Sequence, residues 1–281
     1  MKNLGYYNGK LGLIEEMEIP MTDRAFYFGD GVYDAVMCRN NIPYLLEEHL
    51  DRFYSNCDKL EICVPMSKNE FSGLICELAK MVDAVEKFIY FHASRGSALR
   101  SHSLMPTKAN MCVMITPQKM GEIGDKMNAI LMPDIRYRLC NIKTLNLLPN
   151  VLAAQMAEKK GADEAIFHRE GNVTEGTHCN VSVILNGEIV TAPTDCNILP
   201  GVTRSHLIKK AQKLGISVVE RNYSIKEMMM AEEILITSSS KMLRGVGKLD
   251  GITIGGKNPS ILKALQDELL SDYLKSTSTI A

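Results

Sequence analysis

The sequence predicts a mixed α/β (α+β) chain in two domains. Three observations carry that expectation. Strand-like and helix-like segments are interspersed over 281 residues, a length for one large domain or two modest ones. Asn8-Gly9 and Asn186-Gly187 each join two strand-like runs, the mark of a two-residue hairpin and of antiparallel or mixed pairing rather than a doubly wound sheet. Residues 117–125, Pro-Gln-Lys-Met-Gly-Glu-Ile-Gly-Asp, break the pattern with turn formers, so a linker at 119–124 divides residues 1–118 from 125–281.

The elements follow in order. Tyr6-Tyr7, the Asn8-Gly9 turn and Leu11–Ile14 make a hairpin within residues 4–18. Asp30–Cys38 is a strand with Val32, Asp34 and Val36 on one face and Tyr33 and Ala35 on the other, and Asn40-Asn41 turns it into Ile42–Leu45. Leu50, Phe53, Cys57 and Leu60 stripe a helix over Glu47–Leu60. Ser67 and Glu70 form a capping box for a helix striped by Phe71, Leu74, Ile75, Leu78 and Met81. Lys87–Arg95 and Ala109–Thr116 are strand-like, with a polar loop at Gly96–His102 between them. Past the linker, Ala129–Pro133 is a strand. Asn141–Asn146 ends a strand-like run and opens a helix over Leu148–Lys160, with Pro149 in its first turn and Gly161 past its end. Glu164–His168, Asn180–Leu185 and Glu188–Ala192 are strands, with a tight turn at Asn172–Gly176. Thr203–Leu214 is a helix closed by Gly215, Val218–Arg221 and Ile234–Thr237 are strands, and Asn258-Pro259 opens a last helix.

Composition bounds the function. With 46% hydrophobic and 23% charged residues the chain is an ordinary globular protein, and a net charge of −1 points away from nucleic acid and from a polybasic membrane patch. No run reaches the length of a membrane span, and Met1-Lys2-Asn3-Leu4-Gly5 lacks the apolar core of a signal peptide. The eight cysteines form no Cys-x-x-Cys pair and mostly sit in apolar runs, so buried free thiols in a reducing cytoplasm are expected rather than disulfides or zinc. The histidines also lack metal spacing, and no metal is expected.

Four places could carry chemistry. Lys143 could form an imine with an aldehyde, although a lysine beside leucines is ordinarily a snorkelling surface residue. Glu175 could hold a pyridine nitrogen protonated, although a turn glutamate ordinarily points to water. Gly201-Val202-Thr203 at a helix start suits a phosphate, with hydroxyls at Thr237–Ser240 and the charge of Arg52 in support, although Thr203 could simply cap the helix. Arg100 and His102, with Tyr33, could clasp a carboxylate, although Arg and His in a polar loop are usually solvated.

Together and in order, these residues resemble the fold-type IV (class IV) pyridoxal-phosphate aminotransferases, and within them the bacterial D-amino acid enzymes. The resemblance covers nearly the whole chain. It is carried by Asp23-Arg24, Phe28-Gly29-Asp30-Gly31-Val32-Tyr33, Glu48-His49-Leu50-Asp51-Arg52, Arg95-Gly96, Asn141–Asn146, Val173-Thr174-Glu175-Gly176, Gly201-Val202-Thr203-Arg204 and Thr237-Ser238. It implies a small N-terminal α/β domain and a larger, barrel-like C-terminal one, with pyridoxal 5'-phosphate between them. It implies Lys143 as covalent anchor and proton shuttle, Glu175 on the pyridine nitrogen, and Leu199 packed on the ring. Arg52, Val202, Thr203, Ser238 and Ser239 are implied at the phosphate. Tyr33, Arg100 and His102 are implied as a carboxylate trap, the last two reaching in from the partner subunit of a homodimer. The subfamily assignment rests on Arg100-Ser101-His102. Thr177-His178-Cys179, Pro200 and Ala35 depart from the family's pattern and bear on side-chain preference.

Three functions follow as expectations. The first is ping-pong transamination of D-alanine with 2-oxoglutarate to pyruvate and D-glutamate. The second keeps the scaffold and changes the reaction, to branched-chain L-amino acid transamination or 4-amino-4-deoxychorismate lysis. The third is a non-catalytic metabolite-binding protein, which the presence of both Lys143 and Glu175 disfavours.

Overall fold

The computed structural model describes residues 1–103 and 107–278. They fall into two compact units. The first holds residues 1–120, 142–146 and those from Tyr273 on, and the second holds 121–141 and 147–272.

In the first unit the order is β1 (Leu4–Tyr7), β2 (Lys10–Gly12), α1 (Arg24–Phe28), β3 (Gly31–Arg39), β4 (Ile42–Pro43), α2 (Leu46–Lys59), α3 (Lys68–Lys80), β5 (Glu86–Ser94) and β6 (Asn110–Pro117). The strands form one six-stranded antiparallel sheet, β2-β1-β6-β5-β3-β4. Asn8 and Gly9 take left-handed φ values of 48° and 90°, closing the β1–β2 hairpin. Val32 and Val36 of β3 enter one core with Leu50 and Phe53 of α2 and Phe71 and Ile75 of α3. The expected capping box forms, since Ser67 accepts from Glu70 N and the Glu70 carboxylate accepts from Ser67 N.

In the second unit the order is β7 (Met127–Pro133), α4 (Leu148–Lys159), β8 (Glu164–Arg169), β9 (Asn172–Gly176), β10 (Asn180–Leu185), β11 (Glu188–Thr191), α5 (Val202–Lys213), β12 (Val218–Glu220), α6 (Ile225–Met230), β13 (Glu233–Ser238), β14 (Met242–Leu249), β15 (Ile252–Thr253) and α7 (Pro259–Ser276), whose residues from Tyr273 on group with the first unit. These nine strands make one mixed sheet. β7 is parallel to β8 and β14, and β11 to β12. Because β9 pairs with both β8 and β10, the path β10-β13-β14-β7-β8-β9 closes on itself as a barrel.

Two local expectations change. Asn172–Gly176 is a strand, and the turn falls earlier, at Glu170-Gly171, where both residues have positive φ. Val173 and Thr174 are β-branched and favour extension. The residues before Lys143 form no regular strand. Cys38, Cys57, Cys112 and Cys179 are buried, Cys76 and Cys140 half-buried, and Cys63 and Cys196 exposed, so burial holds for part of the set. Among the described residues, no helix is long and apolar enough to cross a membrane, and no cluster of His, Cys, Asp or Glu could hold a metal.

Candidate active site

In the first unit, residues 142–145 lie along β3. Tyr33 N donates to Lys143 O at 2.9 Å, Leu145 N donates to Gly31 O at 3.0 Å, and Val32 bridges Thr144. The lysine is therefore placed by backbone pairing. Its Nζ donates to the Tyr33 hydroxyl at 3.2 Å and stands 4.2 Å from that ring's centroid. Register pairs Tyr33 with His92 and Ala35 with Tyr90, so these side chains share a face. Tyr33 stacks on Tyr90 at 5.6 Å, and the Tyr90 hydroxyl lies 3.2 Å from His92 Nδ1. Burial pushes His92 down to about 4.

The opposite face of β3 holds Arg52. Its Nε and Nη2 donate to the two oxygens of fully buried Asp34 at 2.9 and 2.8 Å, and His49 Nδ1 lies 2.8 Å from the same carboxylate. Burial raises Asp34, but the charges and hydrogen bonds of Arg52 and His49 outweigh it and hold the carboxyl well below its usual range.

Arg100 and His102 converge on Phe28 at the end of α1. The Arg100 guanidinium sits 5.0 Å and the His102 ring 5.2 Å from its centroid. Arg24 packs 4.9 Å from the same ring and donates Nη1 to Ser101 O at 2.8 Å, which ties the loop down. Arg24 and Arg95 both donate to Asp30, at 2.8 and 2.9 Å. Among the described residues, neither Arg100 nor His102 makes a hydrogen bond or ring contact with Tyr33.

In the second unit, β9, β10 and β13 bring Glu175, Asn180 and Thr237 into one row. Glu175 is buried and paired with Arg136. Its Oε2 accepts from Asn180 Nδ2 and from Leu199 N, both at 3.0 Å. Asn180 Nδ2 also donates to Leu199 O at 2.9 Å, so the 199–203 turn hangs from this row. Gly201 caps α5 with no side-chain bond, and an added Cβ there would collide with the Asn180 amide oxygen. Val202 and Thr203 are the first two helical residues, so Thr203 is not the cap. Thr237 Oγ1 is buried without a partner among the described residues. Ser238 ends β13 and accepts from Lys241 N at 3.2 Å, and Ser239 lies in the turn after it.

Sequence reasoning did not single out Arg136, Asn180, Asp34, His49 or Phe28 for chemistry, whereas Thr237 was among the hydroxyls it offered to a phosphate. Asp134-x-Arg136, directly after a strand, was the available signal for the first: Arg136 donates Nη2 to Asp134 at 2.8 Å and bridges it to Glu175.

The amino-transferase class IV family model matches residues 31–249. The chain is 34% identical to D-alanine aminotransferase of Bacillus licheniformis over 96% of its length and 98% of that protein. It is 31% identical to the Staphylococcus haemolyticus D-alanine aminotransferase, over 98% and 99%. Among solved structures it resembles the branched-chain amino acid aminotransferase of Escherichia coli, with TM-score 0.89, 20% identity and coverage of 100% and 97%. It also resembles a putative 4-amino-4-deoxychorismate lyase of Legionella pneumophila, with TM-score 0.86, 24% identity and coverage of 92% and 97%. At those identities the two structures speak for the fold.

Proposed function

The chain belongs to the class IV aminotransferases, and from that premise we propose that it transfers the amino group of D-amino acids to 2-oxo acids with pyridoxal 5'-phosphate. D-alanine and 2-oxoglutarate would give pyruvate and D-glutamate. The observation that carries this is the buried Glu175, fixed by Arg136, Asn180 and Leu199 in the same row as the Thr237 hydroxyl, which has no partner among the described residues. The residues fit the cofactor. An uncapped twelve-residue helix start suits a phosphate dianion, and that buried hydroxyl suits one more of its oxygens.

Pyridoxal phosphate, when bound, supplies an electron sink for the charge left on the substrate α-carbon. Lys143, whose amine donates to the Tyr33 hydroxyl, would be its covalent anchor and would move a proton at the substrate α-carbon. Glu175 would hold positive charge on the ring nitrogen, and Leu199 would pack against the ring. Val202, Thr203, Ser238 and Ser239 would hold the phosphate, with Arg52, pinned by Asp34, as a further cation for it. Arg100 and His102, spread over Phe28, donate to a substrate carboxylate together with Tyr33. They do so from the partner subunit of a homodimer, in keeping with their lack of contact with their own Tyr33. This reading takes residues 1–118 as the small domain and 125–281 as the cofactor-binding one, joined by 119–124, with Ile142–Asn146 and the residues from Tyr273 on grouping with the former.

The D-preference is supported by the D-alanine aminotransferases among the relatives and by Arg100-Ser101-His102. A panel of D- and L-amino donors with 2-oxoglutarate tests it. D-alanine should be turned over and L-leucine poorly, and L-leucine activity without D-alanine activity would reverse the assignment.

A further inference from the structure

Cys140 and Cys196 have no part in that reaction. Both belong to the second unit, Cys140 on the stretch after β7 and Cys196 on the turn after β11. Cys140 N donates to Cys196 O at 3.0 Å. Standard bond lengths then keep their Cα atoms within about 6.5 Å of each other. A disulfide spans about 4.4–6.8 Å between Cα atoms. Cys196 is exposed and Cys140 half-buried. Cys140 Sγ donates to Tyr137 O at 3.0 Å, and burial pushes its thiol up to about 11 against the pull of Arg136. An accessible thiol beside a sheltered one is the arrangement of an attacking and a resolving cysteine.

We propose that Cys140 and Cys196 form a modification site that closes to an intramolecular disulfide on reaction with a small-molecule disulfide. The Cys196 thiolate attacks one sulfur of the small disulfide and releases one thiol. Cys140, losing its proton to solvent, then attacks Cys196 Sγ and releases the second. The two cysteines lose two electrons and two protons, and the small disulfide becomes two thiols.

The bond would act on the Glu175 clamp. Asn197 O accepts from Arg136 Nη2 at 3.2 Å, Asn197 Oδ1 accepts from Arg169 Nη1 at 2.8 Å, and Leu199 N holds Glu175. Closing the disulfide takes Cys140 Sγ off Tyr137 O and pulls the 195–199 turn toward the 134–140 stretch. Arg136 then loses its fit to both Asn197 and Glu175, and turnover falls. The fall in turnover rests on the proposed function, whereas the bond does not.

The test is oxidation of the purified holoenzyme with oxidised glutathione, followed by non-reducing peptide mapping and an assay before and after dithiothreitol. The peptides bearing Cys140 and Cys196 should be joined, and D-alanine turnover should fall and return on reduction. In Cys140→Ser the glutathione should remain on Cys196, and Cys196→Ser should keep its turnover through the oxidation. Unjoined peptides in the wild type overturn the site. Joined peptides with unchanged turnover overturn its effect on the clamp. Absence of D-alanine turnover in the reduced enzyme counts against the proposed function alone, because the mapping needs no substrate.

Discussion

A lysine that works as both anchor and proton carrier needs a fixed backbone and a mobile amine. The Lys143 carbonyl is pinned by Tyr33 N, and its amine is held only by the single hydrogen bond to the Tyr33 hydroxyl and that ring's face among the described contacts. Lys143→Ala should keep the fold and lower D-alanine turnover by at least about a hundredfold, the scale of lost proton transfer, in a steady-state assay. Intact mass after borohydride reduction should show the cofactor on the wild type and not on the variant. Arg136 poses the opposite problem, because it serves stability as well as the site. It ties fully buried Asp134 to buried Glu175. Arg136→Gln removes the cation the two buried carboxylates share, while Asp134 keeps Arg169 at 3.2 Å, so the loss should lie at or below the roughly 3–5 kcal/mol of a fully broken buried pair. Urea unfolding should show that loss, and an unchanged midpoint would mean the clamp contributes nothing.

Local chemistry made some elements legible in the sequence. Asn8-Gly9 and Asn186-Gly187 both adopt positive φ and close hairpins, and Ser67 with Glu70 starts α3 as a capping box. The short elements were not legible. α1 has five residues, too few to show a period, and β14 carries two glycines, Gly245 and Gly247, that dilute its strand signal. Within the site, Lys143 and Glu175 were legible only through a resemblance in their order along the chain. Asn180 and Arg136 were not, because their roles come from register across β9, β10 and β13 and from a loop return. Helix α4 shows a further feature at this scale. It turns Ala153 and Ala157 inward, while Leu148, Val151, Leu152 and Met156 are 40–69% exposed along one stripe. Large exposed apolar side chains at helical spacing mark an interface, and the proposed homodimer would cover them. Leu152→Glu should shift sedimentation from dimer toward monomer, and a wild type that sediments as monomer would remove the dimer from the reading.

For the molecule as a whole, stability must depend on pH through groups whose protonation differs between folded and unfolded chains. Two kinds of group act in different windows. Asp34, Asp134 and Glu164 are held below their ordinary values by ion pairs and hydrogen bonds that outweigh burial, so the stability they give is complete above the usual carboxylate range and is lost progressively as pH falls through and below it. The histidines act earlier. Burial lowers His49 despite Asp34, and lowers His92 from 6.5 to about 4. The unfolded chain therefore takes up these protons first as acid is added. Their contribution is complete above 6.5 and is lost as pH falls below it, for His92 over the span down to about 4. For His92 the difference amounts to about 3 kcal/mol across that window. Both histidines lie in the first unit, so acid should loosen the β3–β5 sheet under Lys143 and Tyr33 before it touches the barrel. Unfolding free energy measured from pH 7 to pH 4 should decline steadily in the wild type. In His92→Gln, which cannot take up the proton, the decline should be shallower, and parallel curves would show that His92 carries no part of it.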